Sequence, residues 1–376
     1  MSRPRLRNPD PVIGIDASRL SVSQRTGTEQ YTYEVLKAMG RIAPDEAIRL
    51  YLNADSLPNE IDLPWETRAI PFPRLWTHVR LSREIAQHPP ELLWVPAHVI
   101  PLIHPRSVVT IHDLGYIHVP KAHPAKQRKM LESTTRWSVR VASHVIAISE
   151  TTKQDLIRHY DVSPAKISVA PHGVSERFTR PTDAEIAEVR VRLNLPEQFI
   201  LGVGTIQPRK NYTGLARIIA RMRAAGLPRK LVLAGKPGWM SDQVLDEIKR
   251  IDQHADVIVL GYVDDCDLPA LYSAAEIVAF PSHYEGFGLP ALEAMRCGTP
   301  VVVSNRGALP EVVGNAGLVV DPDDEVAFAD ELMMLASDSE LRRIYSDRGR
   351  EHAAAFTWER TAQLTLDVLR TQRTLA

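Results

Sequence analysis

The chain has 376 residues, 44% of them hydrophobic and 24% charged, with a formal net charge of -1. That is more than one hydrophobic core usually organises, so two domains are expected, and a chain with no global positive field is not built to attract nucleic acid. The charge is uneven: residues 1–178 carry 23 Lys+Arg against 18 Asp+Glu, and residues 179–376 carry 22 against 28. Two cysteines, Cys266 and Cys297, form neither a metal-binding spacing nor a disulfide framework, which fits a reducing, cytoplasmic setting. The opening "MSRPRLRNPDPVIGID" lacks the apolar run of a secretory signal. No stretch approaches the roughly 20 apolar residues of a membrane span.

In chain order, short apolar runs predict strands at 12–18, 48–54, 92–97, 107–114, 144–149 and 167–174. A second series follows at 199–205, 230–236, 257–263, 276–282, 300–305 and 317–322. The runs are apolar throughout rather than alternating, as strands covered on both faces are. Helical stretches such as "GTEQYTYEVLKAMGRI" and "YTGLARIIARMRAAG" lie between them. The pattern predicts βαβ units and two parallel sheets. A polar stretch after residue 178 divides the two series and places a domain boundary there, between 1–178 and the chain from 179 onward. Two such domains facing each other make a cleft, and ligands bind beyond the carboxyl ends of parallel strands.

Three loops after strands carry the chemistry. In "FILGVGTIQPRKNYTGLARII", Gly202 and Gly204 begin a dinucleotide fingerprint, but Gln207 stands where its third glycine belongs. Arg209 and Lys210 precede Asn211, a good N-cap, and a helix beginning near Tyr212. Two cations beside a helix N-terminus suit a diphosphate, although solvated surface cations read the same way. In "HYEGFGLPALEAMRCGTPVVVSN", Gly286 and Gly288 let the backbone approach a ligand, and Pro290 suits a helix start. The N–H groups of Phe287, Gly288 and Leu289 would then face an anion or sugar oxygens. Glu293 falls in the predicted first turn, where a carboxylate also stabilises the helix dipole by about 0.3–1 kcal/mol. Glu285 reads equally as a solvated loop residue. Carboxylates accept paired hydrogen bonds from vicinal hydroxyls, and a carboxylate pair also fits glycoside hydrolysis. In the first half, "TIHDL" places His112 and Asp113 at a strand end, where both read alternatively as structural caps. Gly27 follows the first strand, and His172 ends the last strand of this half.

Glu285 and Glu293, eight apart within that stretch, resemble the signature of retaining family 4 glycosyltransferases. "GTIQPRKN", "LVLAGK", "LGYVDDCDLPALYSAAEIVAFPS", "GALPEVVGNAGLVVDP", "VVTIHDL", "VIAISETTKQDL" and "APHGV" fit the same family in order, over nearly the whole chain. The resemblance implies the GT-B fold, two Rossmann-like domains facing across a cleft, with a last helix (about 358–376) crossing back to the N-terminal domain. It implies that Arg209 and Lys210 hold the donor diphosphate in place of a metal, so no metal or other cofactor is expected. Glu293 would bind the ribose and Glu285 the transferred sugar, supported by the Phe287–Leu289 backbone. The base would lie near Tyr262 and Val263, His112 by the reaction centre, and Gly27 near the phosphates. Thr205 departs from the pattern, since many members carry a basic residue after the glycine matching Gly204.

The implied reaction moves a hexose, with retention, from a nucleotide sugar to a hydroxyl of a glycan or lipid-linked acceptor. The wording of the motifs is similar to that of bacterial mannosyl- and rhamnosyl-type transferases of polysaccharide assembly. GDP-mannose is the favoured donor and a UDP-sugar the alternative. Lys129, Arg136 and Arg140, with Trp137, recur at helical spacing and offer peripheral contact with a membrane's inner face, or only a solvated helix face. The rival readings are a phosphorylase or sugar-nucleotide epimerase of the same fold, a nicotinamide-dependent dehydrogenase, and a non-catalytic sugar-binding protein.

Overall fold

The structure, a computed structural model, describes residues 12–21, 27–97 and 99–375. The chain forms two compact units. The first comprises the described residues up to His112, then Lys129–Gly173, and the chain from Trp358 onward. The second comprises Asp113–Arg128 and Val174–Thr357.

In the first unit, β1 (Ile13–Asp16), β2 (Ile48–Leu52), β3 (Glu66–Ala69), β4 (Leu92–Val95), β5 (Arg106–Ile111), β6 (His144–Ala147) and β7 (Ile167–Val169) form one sheet. Its order is β3-β2-β1-β4-β5-β6-β7, and every pairing is parallel. Six of the seven coincide with predicted runs. The seventh, β3, is a polar "ETRA" exposed along its length. It is an edge strand, so it needs no apolar face, and an ion pair from Arg49 to Glu66 at 2.9 Å ties it to β2. Tyr31, Tyr51 and Trp94 are fully buried here, and the Trp94 indole N–H donates to Thr110 Oγ1 at 3.1 Å.

The helix Trp358–Thr374 packs along the helix Gly27–Ile42 in this unit. Trp358, Ala362, Leu366 and Leu369 recur at three- and four-residue spacing and are buried. Arg41–Glu359 at 2.5 Å and Arg370–Glu46 at 2.7 Å flank the apolar stripe, and Thr361 Oγ1 donates to the Pro171 carbonyl at 2.6 Å. The last helix thus belongs to the first unit.

In the second unit, β8 (Phe199–Val203), β9 (Lys230–Ala234), β10 (Val257–Gly261), β11 (Ile277–Phe280), β12 (Val301–Ser304) and β13 (Leu318–Val320) form a parallel sheet ordered β10-β9-β8-β11-β12-β13. All six coincide with predicted runs. The helices Tyr212–Ala224 and Glu325–Ser337 bury Ile218, Ile219, Met222, Phe328, Leu332 and Leu335 in one core with Ile200, Leu231, Leu233, Ile277 and Ala279. Each of the larger of these side chains contributes about 1.5–3 kcal/mol on burial. The strand order reverses between β8 and β11 in this sheet, and between β1 and β4 in the first. Loops leaving the carboxyl ends of the two strands at such a reversal diverge and leave a crevice.

The segment Asp113–Arg128 lies with the second unit rather than within the first, as 1–178 would have it. The reason is local packing. A Cβ on Gly115 would stand 3.4 Å from the side chains of both Arg209 and Tyr284, and the His118 ring stacks on Tyr284 at 4.3 Å. Among the described residues, no helix is long and apolar enough to cross a membrane.

Candidate functional site

The loops after β8 and β11 meet because these strands are neighbours. Pro208–Lys210 makes one tight 3-10 turn, and Asn211, in the left-handed conformation, ends it. The Asn211 side chain then accepts from Gly214 N at 3.2 Å and caps the helix Tyr212–Ala224, as its position predicted. This turn puts Arg209 and Lys210 side by side. His283 N donates to the Arg209 carbonyl at 2.9 Å, joining the two loops.

Glu285 arrives from the other loop and meets both cations. Its Oε2 lies 2.9 Å from Arg209 Nη1 and its Oε1 lies 2.7 Å from Lys210 Nζ. Arg209 Nη1 also donates to the Tyr284 carbonyl at 2.5 Å. All three side chains are nearly excluded from solvent, at 13%, 11% and 11% exposure for Arg209, Lys210 and Glu285. Burial by itself would raise the Glu285 pKa, but Arg209 and Lys210 outweigh it and bring the carboxyl down to about 2. Burial lowers the Lys210 pKa, and Glu285 only partly offsets it. Arg209 is pulled the same way by burial, but Glu285 and Asp113 outweigh that and raise its pKa. Glu285 is therefore not a solvated loop residue, and the cations are not loose surface charges. Two cations on one carboxylate leave a positive charge that Asp113 nearby offsets in part, in surroundings where it is weakly screened.

A third loop holds Glu285 from behind. Ala308 N donates to the Glu285 carbonyl at 2.8 Å, and Gly307 has φ +64°. A Cβ there would come within 2.2 Å of that carbonyl oxygen, so only glycine lets the backbones approach this closely. Gly288, at φ +124°, is the N-cap of the helix Leu289–Arg296.

Glu293 is placed differently from expectation. The helix begins at Leu289, with Pro290 second, so Glu293 is the fifth residue and lies beyond the first turn. Stabilising the dipole from that turn is not its role. It is half-buried and accepts from the Tyr272 hydroxyl at 2.8 Å. Tyr272 is fully buried, and burial first, then Glu293, push its phenol pKa well above the ordinary value. The phenol thus stays protonated and donating. Tyr272 was not singled out from sequence, because it sits in "LPALYSA", an apolar run that reads as core.

Phe287 is buried, its ring edge-on to Phe356 at 6.3 Å, and Leu289 is half-buried as the first helical residue. Val263 is buried just past β10, while its neighbour Tyr262 is 44% exposed.

Of the remaining predicted residues, Gly27, His112 and His172 lie in the first unit and Asp113 in the second. Gly27 is the first residue of the helix Gly27–Ile42, with open space where a Cβ would be. His112 follows β5 and is buried; its Nε2 lies 2.7 Å from the Pro96 carbonyl. A carbonyl only accepts, so Nε2 carries the hydrogen. The Tyr31 ring packs edge-on to His112 at 4.8 Å and stacks on His172 at 4.9 Å. Burial, and then His112 at 5.7 Å between ring centres, hold the His172 pKa well below its usual value. Asp113 accepts from Gly115 N at 2.9 Å, the capping contact anticipated for it.

A buried carboxylate gathers two cations at a strand-order reversal, the place where ligands bind in open parallel sheets. Comparison with known proteins gives the class. Residues 26–178 match the model of Glycosyltransferase Family 4, and residues 183–352 match that of Glycosyl transferases group 1. The chain is 31% identical over 363 residues to O-antigen chain mannosyltransferase B of Escherichia coli, covering 91% of this chain and 95% of that one. It is 29% identical over 288 residues to serotype-specific mannosyltransferase WbdA of Escherichia coli, covering 73% of this chain but only 34% of WbdA. Sucrose-phosphate synthase from Thermosynechococcus elongatus superimposes with a TM-score of 0.77 at 23% identity, covering 97% of this chain and 100% of that one. Anabaena Alr3699/HepE, in complex with UDP and glucose, does so with 0.75 at 19% identity, covering 96% and 99%. The chain belongs to the family 4 glycosyltransferases and has the two Rossmann-like domains of the GT-B class.

Proposed function

We propose that this glycosyltransferase moves a hexose, with retention and without a metal, from a nucleotide sugar to a hydroxyl of a glycan or lipid-linked acceptor. Mannose from GDP-mannose is the first assignment, supported by the two mannosyltransferase relatives; a UDP-sugar is the alternative. The observation that carries the reading is the Arg209–Lys210–Glu285 constellation. A diphosphate brings negative charge to the buried cations and takes the place Glu285 holds beside them. Glu285 then turns to hydroxyls of the transferred sugar, while Glu293, steadied by Tyr272, takes the ribose. The anomeric C–O bond to the diphosphate breaks and a bond to the acceptor oxygen forms on the same face, the acceptor proton passing to the departing phosphate. Arg209 and Lys210 stabilise the charge that develops on that leaving group. His112, Gly27, Phe287, Gly288, Leu289 and Val263 keep the supporting roles that the resemblance implies.

The test is calorimetric titration in EDTA against GDP, UDP, ADP, TDP and their common sugar conjugates, with Lys210→Ala and Glu293→Ala alongside. One nucleotide bound selectively, with binding lost in both variants, is expected. Equal binding by both variants overturns the assignment. NMR of the product's anomeric configuration tests retention.

A lipid-linked acceptor would be met at a membrane's inner face. Lys129, Met130, Arg136, Trp137 and Arg140 are all exposed on the helix Ala125–Val141, giving one basic and apolar element to contact anionic lipid. Sedimentation with anionic vesicles at low salt is the check, and no binding removes this element of the reading.

A further inference from the structure

Beside the paired cations, the second unit carries two aromatic side chains that the assignments above leave unused. His123 follows the turn Pro120–Ala122, and Trp239 lies in the loop after β9. Their rings stand 5.3 Å apart, inclined at 54°. Both ring nitrogens of His123 are buried, and neither has a hydrogen-bond partner among the described residues. A buried polar atom left unpaired is costly, so two on one ring call for partners from outside the chain, which water or the polar groups of a ligand supply. Burial, and then the charge of Arg209, lower the His123 pKa. The ring is therefore neutral at physiological pH, with one nitrogen donating and one accepting. A hydroxyl group, itself both donor and acceptor, is complementary to that pair.

Trp239 supplies the other half. It is 38% exposed, a large apolar ring left open next to an unsatisfied polar one. Its position is fixed by the backbone. Ile206 N donates to the Lys236 carbonyl at 2.9 Å and Gly238 N to the Ile206 carbonyl at 3.0 Å, so this loop is stitched to the one that delivers Arg209 and Lys210. A Cβ on Gly238 would come within 2.6 Å of Thr205 Cγ2, so a side chain there would force the loops apart. The next residue, Met240, is held at φ +60°, a conformation that residues other than glycine seldom adopt. The loop spends backbone strain immediately after Trp239, and an aromatic face set beside a donor–acceptor pair matches the two sides of a pyranose. Ring C–H groups lie against the indole through dispersion, and hydroxyls reach the imidazole.

We propose that His123 and Trp239 form a pyranose-binding subsite, adjoining the Arg209–Lys210 anion site and resting on the nucleotide-sugar reading of that site. The pyranose is the sugar of the donor or the terminal residue of the acceptor; the chemistry is the same.

Saturation-transfer NMR tests it. One arm uses GDP-mannose and UDP-glucose; the other uses methyl α-mannopyranoside and methyl α-glucopyranoside with GDP or UDP present. The wild type is expected to give signals on pyranose protons, falling about fivefold or more in both Trp239→Ala and His123→Ala and partly recovered in Trp239→Phe. Base and ribose signals from GDP or UDP persist in the variants, which shows that they are folded. Loss confined to the conjugates assigns the donor sugar, and loss with the methyl glycosides assigns the acceptor. Pyranose signals unchanged in both alanine variants overturn the subsite. So does a wild type that binds GDP or UDP yet gives no pyranose signal in either arm. A wild type that binds neither nucleotide, but whose glycoside signals depend on His123 and Trp239, refutes the nucleotide-sugar reading and leaves the subsite standing.

Discussion

Replacing Glu285 by glutamine removes one negative charge at nearly constant shape, and the structure sets the size of the effect. The carboxyl titrates at about 2 in the folded chain against an ordinary 4.5. At 1.36 kcal/mol per unit, that gap is worth on the order of 3 kcal/mol. Breaking a buried ion pair from one side costs about 3–5 kcal/mol, which agrees. For a unit of this size, such a loss lowers Tm by roughly 6–12 °C. The sign follows from linkage: a depressed carboxylate pKa gives stability that is fully present above 4.5 and is lost as pH falls towards 2. The difference between wild type and Glu285→Gln should therefore be complete at neutral pH and shrink below about 4.5. Thermal melts followed by circular dichroism across this range are the assay. A second readout is binding. With the competing carboxylate gone, the free cations should take GDP or UDP more tightly, by about tenfold for 1.4 kcal/mol of relieved competition. Sugar transfer falls in the same variant. Equal melting temperatures at neutral pH would refute the ion-pair reasoning, and weaker binding of the nucleoside diphosphate would refute the competition.

Lys210→Ala leaves Glu285 paired with Arg209, so the fold should survive while turnover falls about 10²–10³-fold, read by single-turnover kinetics. Tyr272→Phe removes the phenol donor to Glu293 and should weaken nucleotide binding by about 1.5–3 kcal/mol, the worth of a hydrogen bond to a charged group, measured by calorimetry. His172, whose pKa is depressed by burial, stabilises the first unit above its unfolded pKa of about 6.5 and loses that contribution as pH falls through the folded value. His172→Gln should flatten the loss of stability as pH falls below about 6.5 in denaturant titrations; an unchanged pH dependence would count against the burial reading.

The strands were legible because each is a short apolar run buried on both faces, a pattern with few competing explanations. β3 escaped for the opposite reason: an edge strand of exposed polar residues carries no periodic signal. Arg209, Lys210, Glu285 and Glu293 were each singled out in the sequence as charged residues in or just after loops that follow strands. Their partnership was not, since Glu285 stands 75 positions after Lys210 and only the adjacency of β8 and β11 closes that gap. Glu293 was misjudged by one residue of helix start, enough to move it out of the first turn. Tyr272 was invisible because an aromatic in an apolar stretch looks the same whether it fills a core or steadies a site carboxylate. The segment Asp113–Arg128 follows a strand of one unit and packs with the other, a choice made by side-chain contacts with Arg209, Tyr284 and Trp239 that no local pattern announces.

The path of the chain has a consequence for biosynthesis. The polypeptide leaves the first unit after His112, returns at Lys129, leaves again after Gly173 and comes back only at Trp358. The first unit therefore lacks one of its helices until Trp358–Thr374 has been translated. On a ribosome, the amino-terminal sheet emerges first and is completed last, with the Gly27–Ile42 helix waiting more than 300 residues for its partner. The second unit, whose sheet lies entirely within Phe199–Val320, can be finished before the first. The order of emergence and the order of completion run in opposite directions. Ribosomal stalling or a stop just before Trp358 would leave the earlier-made sheet, not the later one, short of its packing.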